Sequence, residues 1–182
     1  MKLTLKLTMM MALAAGMAWA GGTLPARTVT VCSRRTADSA TLYRAQGAAS
    51  KMFATAGVKI DWREPRPCPA GVILISLSES APASDHPGAL AYALPYEGTH
   101  IVLFYDRIKR QSAAVDPNAL PMLLAHVMVH EITHILQGVS RHSETGVMKA
   151  HWDELDYGQI RIKPLPFTDA DIYLIQHSPD LR

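Results

Sequence analysis

The residues best suited to chemistry in this 182-residue sequence form the motif His130-Glu131-Ile132-Thr133-His134. In an α-helix, residues four apart lie on the same face, so the two imidazoles would stand one turn apart. That spacing suits two nitrogen ligands of a single zinc ion, each at about 2.0–2.1 Å. Glu131 would then be placed to take a proton from a water molecule beside the metal without binding the metal itself.

Another histidine of the same helix, His126, offers a competing pair with His130. His126 and His134 are eight residues apart, about 12 Å along a helix, so one ion cannot bind both. Only the pair of His130 and His134 encloses a glutamate, and apolar neighbours surround it, as a water-poor metal site requires. We therefore predict that His126 is a packed residue or supports a ligand, and that the other two are ligands.

A catalytic zinc site needs a third protein ligand and leaves its fourth position to water. The first candidate is His142, because Gly138 can end the helix and let the chain fold back. The second is Glu154, which would require a further helix around residues 150–156, and His151 is a weaker third. The sequence favours His142 and leaves Glu154 open.

The segment around this motif resembles the metzincin branch of the zincin metallopeptidases, whose pattern is H-E-x-x-H-x-x-G-x-x-H with a downstream methionine turn. Here Gly138 comes one residue later and His142 two residues later than in that pattern, and Gly146-Val147-Met148 follows. With Glu154 as the third ligand, the resemblance would shift to the gluzincins.

The metzincin resemblance implies a role for each matching residue. It implies that His130, His134 and His142 bind zinc and that Glu131 is the general base. It further implies that Met148 lies beneath the site.

Hydrophobic periodicity predicts the elements that must position these residues. The motif falls in the strongest helix, which either Asp116 or Asn118 could cap and which Gly138 is expected to end. Asn118 is preferred, because it puts Pro121 in the first turn. The chain is then turn-rich until a short final helix capped by Thr168. The predicted strands are 27–33, 58–62, 72–77, 89–94 and 100–105, and the predicted helices are 37–56, 119–137 and 169–177.

This order of elements predicts an α+β fold, a zincin-like mixed β-sheet with its helices packed on one side. The uniformly apolar segment 72–77 is expected to be a central strand buried on both faces. A short turn joins the last two strands, so these are expected to pair antiparallel.

The N-terminus predicts export. Two lysines precede an apolar run from Leu7 to about Trp19, which ends in a small-x-small pattern typical of a signal peptide. Residues 1–20 are therefore expected to be removed, which leaves one domain, 21–182. In an exported protein the two cysteines, Cys32 and Cys68, predict one disulfide. We expect no later stretch to span a membrane.

The formal net charge is +2, and the basic residues are scattered, with only short pairs such as Lys109-Arg110. This distribution argues against a nucleic-acid partner. The sequence therefore predicts a secreted or periplasmic zinc-dependent metallopeptidase that acts on a peptide or protein substrate. The alternatives are a non-catalytic binding protein on a zincin scaffold and a zinc amidase that acts on cell-wall material.

Overall fold

The structure, a computed structural model, describes residues 27–33, 38–64, 68–80, 87–93 and 98–178. The predicted signal peptide, residues 1–20, lies outside the described residues, as does the start of the predicted domain at residue 21.

The described residues form a mixed sheet and five α-helices, which confirms the predicted α+β class. In chain order the elements are β1 (Arg27–Ser33), α1 (Ser39–Thr55), β2 (Val58–Arg63), β3 (Ile73–Ser78), β4 (Ala91–Ala93), β5 (His100–Phe104), α2 (Tyr105–Val115), a 3₁₀ turn (Pro117–Ala119), α3 (Leu120–Gln137), α4 (Glu154–Ile160) and α5 (Asp169–His177). The sheet has the order β2-β1-β3-β5-β4. All neighbouring strands are parallel except β4 and β5, which pair antiparallel as predicted.

One face of the sheet is buried against the helices. Alternate residues of the central strand, Ile73 and Ile75, are fully buried and belong to the same core as the apolar side chains of α1 and α3. The intervening residues, Leu74 and Ser76, are only half-buried. The predicted central position of this strand is confirmed. The prediction that it is buried on both faces is wrong, because the described helices cover one face only.

Helix α3 is the core helix that carries the motif. By length and composition Pro117–Gln137 could cross a membrane, contrary to the prediction, but 78% of its most apolar window is buried inside the protein. The predicted cap, Asn118, is wrong. Asn118 lies in the 3₁₀ turn that precedes α3, and its own N–H donates to the Asp116 carboxylate at 2.9 Å. Gly138 ends α3 in the left-handed conformation, with φ of 66°, as predicted.

Two helices were not predicted. The burial of Tyr105, Ile108 and Ser112 in α2 follows helical spacing, but this short stretch follows β5 directly and has few apolar residues. Helix α4 lies in the segment that the sequence predicted to be turn-rich, and a capping box of Asp153 and Asp156 begins it. A second capping box, of Thr168 and Asp171, begins α5, so the predicted Thr168 cap is confirmed.

The predicted disulfide between Cys32 and Cys68 is present. It closes a loop across 36 residues of sequence and ties the fully buried end of β1 to the segment that leads into β3. A loop of this length stabilises a fold by about 4 kcal/mol through the lost entropy of the unfolded chain. A disulfide also indicates an oxidising compartment, outside the cell or in a periplasm.

Candidate metal centre

Helix α3 brings His130 and His134 together. Their ring centroids are 4.7 Å apart, and the Nε2 atoms of the two rings face each other at 3.1 Å. The cause is local, since residues four apart stack on one face of a helix. Both side chains leave α3 near its C-terminal end, where the chain turns at Gly138.

Two backbone carbonyls fix the tautomers of these rings. The Nδ1 of His130 lies 2.9 Å from the carbonyl oxygen of Val147, and the Nδ1 of His134 lies 3.2 Å from that of Val139. A carbonyl can only accept, so each Nδ1 carries the proton and donates. Each Nε2 of the neutral ring is then left with an unprotonated lone pair.

The two lone pairs therefore point towards one another, an arrangement that is repulsive without a cation between them. Two nitrogens bound tetrahedrally to one ion at 2.0–2.1 Å would be about 3.3 Å apart. The observed 3.1 Å between the two Nε2 atoms is close to that separation. In metal-binding histidines, a backbone carbonyl also commonly accepts a hydrogen bond from the ring nitrogen that does not bind the metal.

His142 completes a cluster of three. Its ring centroid lies 5.2 Å from that of His130 and 4.9 Å from that of His134. One possible ligand atom from each histidine lies within 4.8 Å of the others, so the three could hold a metal ion. His142 itself is exposed, which leaves the cluster open to solvent on one side.

The other two candidates for the third position do not join this cluster. Helix α4 supplies the helix that Glu154 required, but Glu154 is its first residue and is solvent exposed. His151 lines the same cleft as His142 but lies outside the group of three. Among the described residues, the structure thus brings His142 to the helix pair.

His126 is a packed core residue with both ring nitrogens in use. Its Nδ1 donates to the carbonyl of Met122 at 2.7 Å, and its Nε2 accepts from the backbone N–H of Leu165 at 3.0 Å. The side chain is fully buried. No lone pair remains for a metal, so His126 instead ties the segment before α5 to α3.

The environment keeps the three clustered histidines neutral. Burial, followed by the nearby ring of His134, lowers the pKa of His130 to about 3. Burial lowers the pKa of His134 to about 4. Burial, followed by His151, also lowers the pKa of His142. Neutral imidazoles are the form that binds metals.

Glu131 lies beside this cluster in a nearly water-free position. Its side chain is 8% exposed, and burial raises the pKa of its carboxyl group to about 8. A cation nearby would stabilise the ionised form and lower this pKa again. The carboxyl group can therefore change its protonation state near neutral pH, as a general base must.

A cleft of about 450 Å³ lies over the site. Glu131, His130 and His142 form part of its lining, together with Leu90 and Ala91 at the edge strand β4. Further lining residues follow His142 in the sequence. These are Lys149, Ala150, His151, Trp152 and Tyr157.

Two of those residues, Tyr157 and His151, bring hydrogen-bond donors to the cleft wall. Burial, followed by the charge of Asp156, raises the pKa of Tyr157, which keeps its hydroxyl group protonated and able to donate. Trp152, which the sequence reasoning missed, has its ring centroid 5.9 Å from that of His130. Its position next to the motif in space, and not in sequence, explains the omission.

A tight turn holds the carbonyl that binds His130. The N–H of Lys149 donates to the carbonyl of Gly146 at 3.2 Å, which closes the turn that contains Val147 and the fully buried Met148. Gly146 has φ of 79°, and a Cβ there would lie 2.3 Å from the backbone oxygen of Pro166. The turn therefore requires glycine, and it fixes the carbonyl that holds His130.

No protein-family model matches this sequence, and no curated protein is significantly similar to it.

Proposed function

We propose that this protein is a secreted or periplasmic zinc-dependent peptidase with a metzincin-like site. In this proposal His130, His134 and His142 bind the metal and Glu131 is the general base. The observation that carries it is the convergence of three neutral imidazoles within 4.8 Å beside a buried glutamate in an open cleft.

The donor set favours zinc. Three imidazole nitrogens with a fourth position open to solvent are typical of catalytic zinc sites, whereas structural zinc sites use four protein ligands. Within the described part of the chain the cluster contains three histidines and no fourth ligand of the same kind. A zinc ion in such a site lowers the pKa of a bound water towards about 7 and polarises a substrate carbonyl.

Glu131 supplies the proton transfer. Its carboxylate would accept a proton from the attacking water, and the protonated carboxyl group would then donate that proton to the leaving amine nitrogen. Burial supports the first step, because a raised pKa makes the carboxylate a stronger base. A structural metal site would have no use for a glutamate in this position.

The edge strand β4 suits an extended peptide. β4 pairs with β5 on one side, and Ala91 at its start lines the cleft beside the histidines. A substrate could add to the other side of β4 through backbone hydrogen bonds, which would place a peptide carbonyl over the metal. Tyr157 and His151 would donate hydrogen bonds to the oxygen of that carbonyl as negative charge develops on it.

The test combines metal analysis with cleavage assays on the purified protein. We expect one zinc per chain, and cleavage of casein or of a peptide library that a chelator abolishes and zinc restores. Glu131→Gln should keep the zinc and lose at least about 100-fold in rate. His142→Ala should lose zinc, whereas the matched control Glu154→Gln should retain both zinc and activity.

The outcomes separate the alternatives. Zinc uptake without any chelator-sensitive cleavage would indicate a binding protein. Cleavage of cell-wall fragments but not of peptides would indicate an amidase. A protein that takes up no zinc would refute the proposal altogether.

A further inference from the structure

We infer that Asp171, in the C-terminal helix α5, is a positioning residue that holds the third metal ligand in place. Asp171 does not contact His142 itself. Instead, Asp171 accepts hydrogen bonds from Arg141 and Ser143, the two residues that flank His142 in the sequence. This inference rests on the metal site proposed above.

His142 needs such support more than the other two histidines do. His130 and His134 are fixed by α3 and by hydrogen bonds from their Nδ1 atoms to backbone carbonyls. His142 lies in an irregular segment after α3 and is exposed, and the described residues provide no hydrogen-bond partner for its ring. Its position therefore depends on the atoms that hold its neighbours.

The two oxygens of Asp171 have separate tasks. Oδ1 accepts from Arg141 Nη1 at 2.9 Å and from Ser143 Oγ at 2.7 Å. Oδ2 accepts from the N–H of Thr168 at 3.0 Å and from its hydroxyl group at 2.7 Å, which forms the helix cap. Oδ1 thus holds the two residues that flank His142, while Oδ2 caps the N-terminus of α5.

The carboxylate is charged and fully buried. Burial by itself would raise the pKa of Asp171, but the hydrogen bonds from Thr168, Ser143 and Arg141 outweigh it and lower this pKa. Hydrogen bonds to a buried charge are roughly twice as strong as those between neutral groups. The charge also acts on the rings of His130 and His134, whose protonated forms it favours, and it would favour a bound cation in the same way.

A set of variants separates this role from the stability of α5. Asp171→Asn weakens both branches, and Arg141→Met combined with Ser143→Ala removes only the branch to His142. Thr168→Ala is the matched control, since it removes the cap and a long 3.4 Å contact with the Ser143 hydroxyl but leaves both hydrogen bonds to Oδ1 in place. The double variant carries the test if Asp171→Asn does not fold.

The measurement is the zinc dissociation constant of the purified protein, obtained by competition with a chromophoric chelator below the melting temperature of every variant. We expect Asp171→Asn and the double variant to bind zinc about 10- to 100-fold more weakly than the wild type, as is usual when the support of a ligand is lost. Thr168→Ala should lower the melting temperature but keep the dissociation constant within about threefold of the wild type.

Two results would overturn the inference. One is unchanged zinc affinity in the double variant, and the other is a loss in Thr168→Ala as large as that in the double variant. Failure of the wild type to bind zinc would instead remove the proposed function and this inference together.

Discussion

Replacing Glu131 with glutamine should make the metal-free protein more stable at neutral pH, even though it removes the proposed base. Burial raises the pKa of Glu131 to about 8 in the folded protein, against an ordinary value of 4.5 that applies to the unfolded chain. Between these two values the unfolded chain is ionised while the folded protein holds the proton. The contribution of Glu131 to the stability of the wild type therefore falls as the pH rises from 4.5 to about 8.

The size of this effect follows from the same two values. Each pH unit in this interval lowers the free energy of unfolding by about 1.4 kcal/mol. At pH 7 the wild type is thus destabilised by about 3 kcal/mol relative to a neutral side chain of the same shape, and at pH 5 by less than about 1 kcal/mol. Glutamine is neutral at every pH, so the free energy of unfolding of the variant does not include this pH-dependent decrease.

The assay is urea denaturation of the wild type and of Glu131→Gln at pH 5, 6, 7 and 8 in the presence of a chelator. The difference between their free energies of unfolding should grow from less than about 1 kcal/mol at pH 5 to about 3 kcal/mol at pH 7. Glu154→Gln is the matched control, because Glu154 is exposed, and it should show no such trend. Added zinc should shrink the advantage of Glu131→Gln, since a cation favours the ionised carboxylate.

A difference between the two proteins that does not change with pH would refute this reasoning. It would mean that the Glu131 carboxyl group is solvated in the folded protein and not buried in a dry cleft.

Three further predictions test other parts of the site. Gly146→Ala should destabilise the protein by at least about 2 kcal/mol and weaken zinc binding, because the new Cβ would lie 2.3 Å from a backbone oxygen. The control Gly47→Ala, at an open helical position, should stabilise the protein by about 0.5–1 kcal/mol in the same denaturation assay. Zinc should change the fluorescence of Trp152, which lies beside a ligand ring; Trp152→Phe should abolish this change and Trp62→Phe should keep it, and the reverse pattern would contradict the site. Metal-free protein should lose stability as the pH falls below about 6.5, by about 1.4 kcal/mol per pH unit for each histidine of α3. The reason is that burial lowers the pKa values of these histidines to about 3 or 4, so that only the unfolded chain takes up the protons. A flat pH profile of the free energy of unfolding between pH 6.5 and 5 would be inconsistent with that burial.

Local patterns determined much of the fold. The spacing of His130 and His134 decided that both rings lie on one face, because a helix repeats every 3.6 residues. Gly138 and the Thr168 cap were predicted because helix ends are decided by one or two residues. With only two cysteines in the chain, the disulfide could have only one pairing within it.

The strand order was decided by packing. The sequence predicts which segments are strands, but the arrangement β2-β1-β3-β5-β4 depends on how the helices cover one face of the sheet. The expected burial of the central strand on both faces was wrong for the same reason. An apolar run is compatible with both situations, and only its neighbours in space distinguish them.

The third member of the histidine cluster also depended on tertiary structure. His142, His151 and Glu154 all follow the motif closely, and no helical repeat links any of them to His134. The return of His142 to the site is fixed by the Asp171 carboxylate of α5 and by the hydrogen bond from the backbone N–H of Ser143 to the carbonyl of Met148 at 2.8 Å. A helix repeat is a property of neighbouring residues and is therefore visible in the sequence. A contact from a carbonyl or carboxylate of another element leaves no pattern in the neighbouring sequence. Only the folded chain could therefore show which side chains such a group holds.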